Sequence, residues 1–300
     1  EIEYRDNLRR NGEIEFLGGK PEFVRLGHFD DIDMAMMTHT SVPTNDSKIT
    51  IGGTNVGMVG KSIQFSGVAS HAGGSPHLGV NALNAAMVAM SAIHAQRETY
   101  RDKDSIRIHP IITKGGVAVS SVPADVRMET YVRGGSIEAF LSASEKVDRA
   151  LRAGAMTVGG SVTIQTLPGY LPIQNNETFL DLYQNNAAEL VGQEKISRLP
   201  PHVMHGTGST DMGDISQLMP VIHPYVEAAS GNGHGIDYVI NDYELAVVTC
   251  AKAMAMTVVD LLADGASNAS GIISENDSPL TISSYLSLLR SMTKEETFKE

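Results

Sequence analysis

The chain lacks several features that would place it in large functional classes. It has a single cysteine, Cys250, in 300 residues. No internal disulfide can form, and no zinc site built from several thiolates is available. Any metal centre must therefore draw on His, Asp and Glu. In TCAKAMAM the cysteine reads as a small apolar helix residue rather than a nucleophile. Apolar runs are short, and none approaches the roughly 20 residues of a spanning helix, so no membrane partner is expected. Cations are in the minority: 23 Lys and Arg stand against 35 Asp and Glu, for a net charge of −12. This balance opposes nucleic acid as a partner, because phosphate backbones are bound by clustered basic groups. The chain opens on Glu1 without a signal-peptide pattern. It reads as a fragment or processed product, and a cytoplasmic location is the expectation.

What is present suits an enzyme-sized α/β protein. Apolar residues make up 42% of the chain, enough for a large core, and the length suits two domains. The segment KSIQFSGVASHAGGSPHLGVN (61–81) runs from an alternating strand into a loop of small residues around His71. It then passes Pro76 and Gly79 into an Ala-rich helix over 80–96. Ile106, Ile108 and Ile112 mark a second strand. A third follows Pro123, with Val126, Met128 and Val132 on one face and Arg127, Glu129, Tyr131 and Arg133 on the other. Ser136 can cap the next helix, with Glu138 in its first turn. Gly159-Gly160 ends that helix, and VTIQT supplies a fourth strand. The order β-α-β-β-α-β is the ferredoxin-like arrangement.

The flanks belong to another domain. Residues 178–191 predict a helix ended by Gly192. Asn241 and Glu244 resemble a capping pair for a helix over 242–263. After Gly265, SNASGIISENDSP reads as a linker, and residues 281–292 predict a short amphipathic helix. Both a packed appendage and a loose tail suit the end of the chain. The expected domains are an α/β domain from 1–58 and 169–265, a lid from 59–168, and a linker and tail from 266–300.

Ten histidines are present. His28, His94, His109, His202 and His223 read as packing or turn residues. His39 ends the apolar run IDMAMM, at the carboxyl end of a strand, where α/β folds place ligand-binding groups. His234 lies between glycines in SGNGHGIDY. Glu13 and Glu15 offer carboxylates that could bind a metal or act as a base. HGTGSTDMGD (205–214) resembles a phosphate loop but lacks the Gly-Lys-Ser/Thr ending. Its Asp211 could orient a ligand or close an Asx-turn. Arg133, at a strand end, could clamp a carboxylate. Taken singly, most of these residues read as well or better as surface or turn residues.

Together they carry a resemblance. FLGGKPEFVRLGHFDDIDMAMMTHTS (16–41), SGVASHAGGSPHLGVNAL (66–83), IITKGGVAVSSVPADVRMETYVRG (111–134), GSTDMGDISQLMPVIHPY (208–225) and AKAMAMTVVDLL (251–262) resemble the M20 family of zinc metallopeptidases and amidohydrolases. The nearest branch is that of the aminobenzoyl-glutamate hydrolases and aminoacylase-1-like dipeptidases. The resemblance implies an α/β class: a split zinc-peptidase-like domain, without the family's N-terminal part, and an inserted ferredoxin-like lid that dimerises. It implies metal-dependent cleavage of an amide bond in a dipeptide or N-acyl amino acid. One or two divalent ions are implied, zinc first, with manganese or cobalt as alternatives. Glu15, His39 and His234 match metal ligands. His71 matches a lid histidine that steadies the oxyanion in the neighbouring subunit. Asn81, Arg133 and Ser120 match substrate-binding positions, with Ser120 where the family usually has asparagine, and Asp211 is read as a supporting residue. Ile14 occupies the expected general-base position, so that role falls to Glu13, one residue away. The family's first ligands come from a segment upstream of the matched part. Weak or no activity is therefore expected from these 300 residues alone. The alternative expectation is a non-catalytic M20-like binding or assembly protein, or an inactive fragment.

Overall fold

The computed structural model describes residues 2–43, 45–206 and 208–299. Its strands are β1 (Ala35–Met36), β2 (His39–Thr40), β3 (Ile49–Thr54), β4 (Gly57–Ser66), β5 (Arg107–Ile108), β6 (Ile111–Lys114), β7 (Asp125–Gly134), β8 (Ser161–Pro168), β9 (Ile196–Met204), β10 (Val221–Ile222), β11 (Tyr225–Val226), β12 (Ala229–Ser230), β13 (Val239–Ile240) and β14 (Lys294–Lys299). Its α-helices are α1 (Ile2–Arg10), α2 (Gly19–Arg25), α3 (Ala82–Ala95), α4 (Ile137–Thr157), α5 (Glu177–Val191), α6 (Met212–Ser216), α7 (Cys250–Glu275) and α8 (Ile282–Met292). The chain divides into two units. One holds the residues up to Glu22, Val56–Pro172 and those from Leu286 onward; the other holds Phe23–Asn55 and Ile173–Tyr285.

The first unit contains the segment expected as the lid, 59–168, together with both ends of the chain. Its sheet runs in the order β14-β8-β4-β7-β5, with β6 also on β7, and every one of these pairings is antiparallel. The β4-α3-β5/β6-β7-α4-β8 path is the ferredoxin-like one. Ile63, Phe65, Val126, Met128, Val132 and Ile164 face the helices and are buried with Phe140, Val147 and Leu151 of α4. Burying each large apolar side chain contributes roughly 1.5–3 kcal/mol. Asn81 and Ser136 cap α3 and α4 by accepting backbone N–H bonds. The expected second strand is broken in two at His109-Pro110, because proline has no N–H to give the ladder.

The alternation on β4 also places Lys61 on the buried face, beside Ile63 and Phe65. Its ammonium donates to Asp148 of α4 at 2.6 Å and to the Thr166 hydroxyl at 2.7 Å. Burial pulls the Lys61 ammonium below its ordinary value, and Asp148 opposes that.

Both chain ends pack onto this unit. Asp6 of α1 binds the Arg9 and Arg10 guanidinia at 2.8 and 2.6 Å. β14 extends the sheet along β8, pairing with Ser161–Thr166. The tail is thus a packed strand. The expected linker is also structured, because helix continues to Glu275.

In the second unit β11 lies between β2, which is parallel to it, and β3, which is antiparallel; β3 pairs parallel with β9. A core of Ile49, Ile51, Phe179, Leu180, Tyr183 and Ala253 joins this sheet to α5 and α7. Asp242, not Asn241, caps the turn before α7, through the Leu245 N–H at 2.9 Å. With its preceding π-helical turn, α7 covers Glu244–Glu275 and is long and apolar enough to cross a membrane by length and composition, contrary to the expectation from the sequence. It is interrupted at Ala263–Ala266 by four non-helical residues, three of them left-handed.

Candidate active site

The lid loop is built from its backbone outward. Val68 and Val80 exchange two backbone bonds at 3.0 and 2.9 Å, which closes the loop. A Cβ on Gly67 would lie 2.0 Å from the Val80 carbonyl oxygen, so the closure requires glycine there. His71 is exposed at the tip and is bridged to Ser121, and the Ala72 N–H donates to the Ser120 carbonyl at 2.9 Å. The His71 Nδ1 accepts the N–H groups of Gly73 and Gly74 at 3.1 and 2.9 Å. Two donors aimed at Nδ1 require it to be unprotonated, so the neutral ring carries its hydrogen on Nε2. The loop therefore presents a rigid Nε2–H donor.

Other expected residues lie on the same unit. The Asn81 side-chain oxygen is committed to capping α3, accepting the Leu83 and Asn84 N–H groups at 2.9 and 3.1 Å. Only its amide NH2 is left to offer a substrate. Arg133 ends β7 with its guanidinium 5.2 Å from the Tyr131 ring centre, and its buried Nε has no partner among the described residues.

Glu13 and Glu15 differ from expectation. Glu13 is exposed in the turn after α1, where it accepts the Asn11 amide at 3.4 Å. Glu15 accepts two guanidinium bonds from Arg290, at 2.7 and 3.1 Å. A carboxylate held bidentately by arginine is neutralised and directed away from a metal.

In the second unit, histidines gather around Tyr225. The register puts His39 of β2 opposite Tyr225. His205 stacks on the phenol ring at 3.6 Å, His223 meets it edge-on at 4.8 Å, and His39 lies 6.1 Å away. Asn55 donates to the Tyr225 hydroxyl at 2.8 Å, while burial pushes that phenol up. The His39 Nδ1 lies 2.6 Å from the Thr40 carbonyl. A carbonyl only accepts, so Nδ1 carries the hydrogen and the Nε2 lone pair is left for a proton or a ligand. Glu227 is buried; its Oε1 accepts the hydroxyls of Ser47 (2.7 Å) and Thr50, and its Oε2 has no partner among the described residues.

The sequence reading missed His205, His223, Tyr225 and Glu227. His223 and Tyr225 belong to the quoted motif IHPY, so a signal was present. Burial holds the His205 imidazole below its ordinary value, with the charge of His39 adding and that of Glu227 opposing. Between the lowered value and about 6.5 the unfolded chain binds more protons. This contribution to stability is complete above about pH 6.5 and is lost as pH falls through the lowered value. Urea unfolding at pH 7.5 and 5 should show a smaller loss for His205→Phe, which keeps the ring stack, than for wild type.

His234 is exposed with φ 64 at the tip of the β12–β13 hairpin. Asp211 begins α6, beside the buried pair in which the Tyr285 hydroxyl donates to Asp214 at 2.9 Å. Thr207 of the 205–214 loop lies outside the described residues. Among the described residues no three or more His, Cys, Asp or Glu side chains are placed to hold a metal ion.

These features define a mixed α/β protein in which a ferredoxin-like unit is inserted between parts of a second α/β unit. Residues 54–156 match the peptidase dimerisation domain of the M20 family. The Xaa-Arg dipeptidase of Mus musculus is 31% identical over 252 residues, covering 82% of this chain and 56% of that protein. Two solved structures share the fold. One is an aminobenzoyl-glutamate utilization protein from Klebsiella pneumoniae, with TM-score 0.59, 19% identity, and 80% of this chain and 57% of that one covered. The other is the Bacillus subtilis YXEP protein, a dinuclear metal-binding peptidase of the M20 family, with TM-score 0.54, 18% identity, and 79% and 60% covered. The chain belongs to the M20 amidohydrolase family. It spans about half the length of the curated relatives it matches.

Proposed function

We propose that this chain serves an M20-type amidohydrolase that cleaves the amide bond of a dipeptide or N-acyl amino acid. The observation that carries the reading is the His71 loop, whose two N–H bonds to Nδ1 leave an exposed Nε2–H donor. Such a donor suits the oxyanion that develops when an amide carbonyl is attacked. Arg133, whose buried Nε has no partner among the described residues, is assigned to the substrate carboxylate, and Ser120 and the Asn81 amide to the acyl side. Within the second unit, His39, His205 and His223 gather around Tyr225 as a separate polar cluster. The name of the Mus musculus relative favours a basic carboxyl-terminal residue in the substrate.

The YXEP relative binds two metal ions, and zinc is the proposed metal for the family chemistry. The His39 tautomer fits a ligand. The described residues do not complete a coordination sphere, so no catalytic step is routed through a metal here, and Glu13 is not retained as the base. The same observation, together with the Glu15–Arg290 pair, favours a second reading in which the chain binds or assembles without catalysis. One assay separates the two. Purified protein is dialysed against zinc, manganese or cobalt and given Ala-Arg dipeptide and aminobenzoyl-glutamate. Turnover abolished by chelator supports the hydrolase; no turnover with any metal supports the second reading.

The lid is also proposed as a homodimer surface. β14 covers the β8 edge, which leaves β5 and β6 as the open edge. Ile111, Val117 and Val119 are exposed there, Val119 fully, and an exposed apolar edge of this kind suits self-association. Ile111→Lys combined with Val119→Asp should shift sedimentation from dimer towards monomer, with the unfolding midpoint nearly unchanged.

A further inference from the structure

A second site is apparent on the lid, apart from the His71 loop. The segment after α3 makes two single turns, Arg97–Thr99 and Asp102–Asp104, before entering β5. It borders a half-open pocket of about 520 Å3, within the range of small-molecule sites. Ile93, Ile106 and Ile108 supply apolar lining, with Ile93 and Ile108 buried. Arg97, Arg101 and Arg107 are among its lining residues with His94, His109 and Tyr100, whereas Asp102 is the only carboxylate in the lining.

The charges are not balanced from within. Arg101 is held by Asp104 at 2.9 Å, and Arg107 donates to the Ile106 carbonyl at 2.9 Å. Among the described residues neither Arg97 nor Arg107 has a carboxylate within ion-pair distance. The β5–β7 register places Arg107 directly opposite Arg133, and like charges across a strand pair repel. The whole chain carries a net charge of −12, so a cationic hollow here runs against its general surface. The backbone that shapes it is fixed. The Gly135 N–H donates to the Asp104 carbonyl at 2.8 Å, and Ser105 closes the turn in the left-handed region at φ 48. Lys146 sits 4.6 Å over the Tyr100 ring and donates to the Thr99 carbonyl at 3.2 Å, which holds that wall in place.

We propose that this cavity binds a small organic polyanion, a phosphate ester or a polycarboxylate. Paired arginines can grip its oxygens bidentately, while the isoleucines accept its carbon skeleton. The site uses none of the residues assigned to hydrolysis and does not depend on that reading.

The test is calorimetric titration of the whole chain at low salt with pyrophosphate and, separately, with citrate, against chloride at matched ionic strength. The wild type should bind at least one of the two saturably, one per chain. Arg97→Ala and Arg107→Ala should each weaken binding by at least about tenfold, and the double variant should abolish it. Arg127→Ala, an exposed arginine elsewhere on the lid, should bind as wild type. The double variant should unfold at the wild-type midpoint or above it without anion, because repulsion is relieved. Preference for pyrophosphate or for citrate names the anion class. No saturable binding of either anion to wild type would overturn the site, as would equal weakening by Arg127→Ala or unchanged binding in the double variant.

Discussion

Replacing Asp148 by alanine should lower the folding stability of the lid by about 3–5 kcal/mol. Lys61 is fully buried, and its ammonium has Asp148 and the Thr166 hydroxyl as its partners. Two charges withdrawn from water lose hydration that their attraction only roughly repays, so the intact pair contributes little net stability. The loss on removing one partner comes from the charge left behind. The double variant Lys61→Met with Asp148→Leu should therefore recover most or all of the stability. Urea unfolding of the three proteins checks this. An Asp148→Ala loss within about 1 kcal/mol, the range of an exposed pair, would show that the pair is solvated.

The second large effect concerns His71. On the proposed reading, His71→Ala should reduce kcat by about 10²–10³ and leave KM close to wild type, since the donor acts on charge that exists only in the transition state. The side chain is exposed and the loop is held by backbone bonds between Val68 and Val80 and between Ala72 and Ser120, so the unfolding midpoint should not move. A kcat within threefold of wild type would remove His71 from the chemistry. Gly67→Ala should reduce kcat as well, but by a different route: its Cβ would collide with the Val80 carbonyl and reshape the loop.

The lid was legible because its signals are local. Val126, Met128 and Val132 alternate along one strand, and Asn81 and Ser136 stand where helices begin. The same alternation carried a reading that was passed over: Lys61 lies two residues before Ile63 on the inward face and must be paired. The second unit was less readable. Its strands are mostly two residues long, and β3 finds its parallel partner β9 some 150 residues away, in a segment whose Pro200-Pro201 argues against a strand. The stacking of His205 on Tyr225 and the grip of Arg290 on Glu15 are tertiary contacts with no sequence period. Glu15 shows the limit of carrying roles across by motif position, because an arginine 275 residues later decides what its carboxylate does. The C-terminal strand was hidden by composition: KEETFK is charged enough to read as a solvated tail, yet it completes the sheet edge along β8.

Nitrogen-15 NMR of the histidine rings reports the property on which the lid chemistry turns. Long-range proton–nitrogen couplings at neutral pH distinguish a protonated Nε2 from a protonated Nδ1 in each neutral imidazole. His71 should show the hydrogen on Nε2, with Nδ1 accepting the Gly73 and Gly74 amides, and both amides should exchange slowly for exposed groups. A His71 ring carrying its hydrogen on Nδ1, or averaging freely between the two forms, would mean that the loop presents no fixed donor to a substrate.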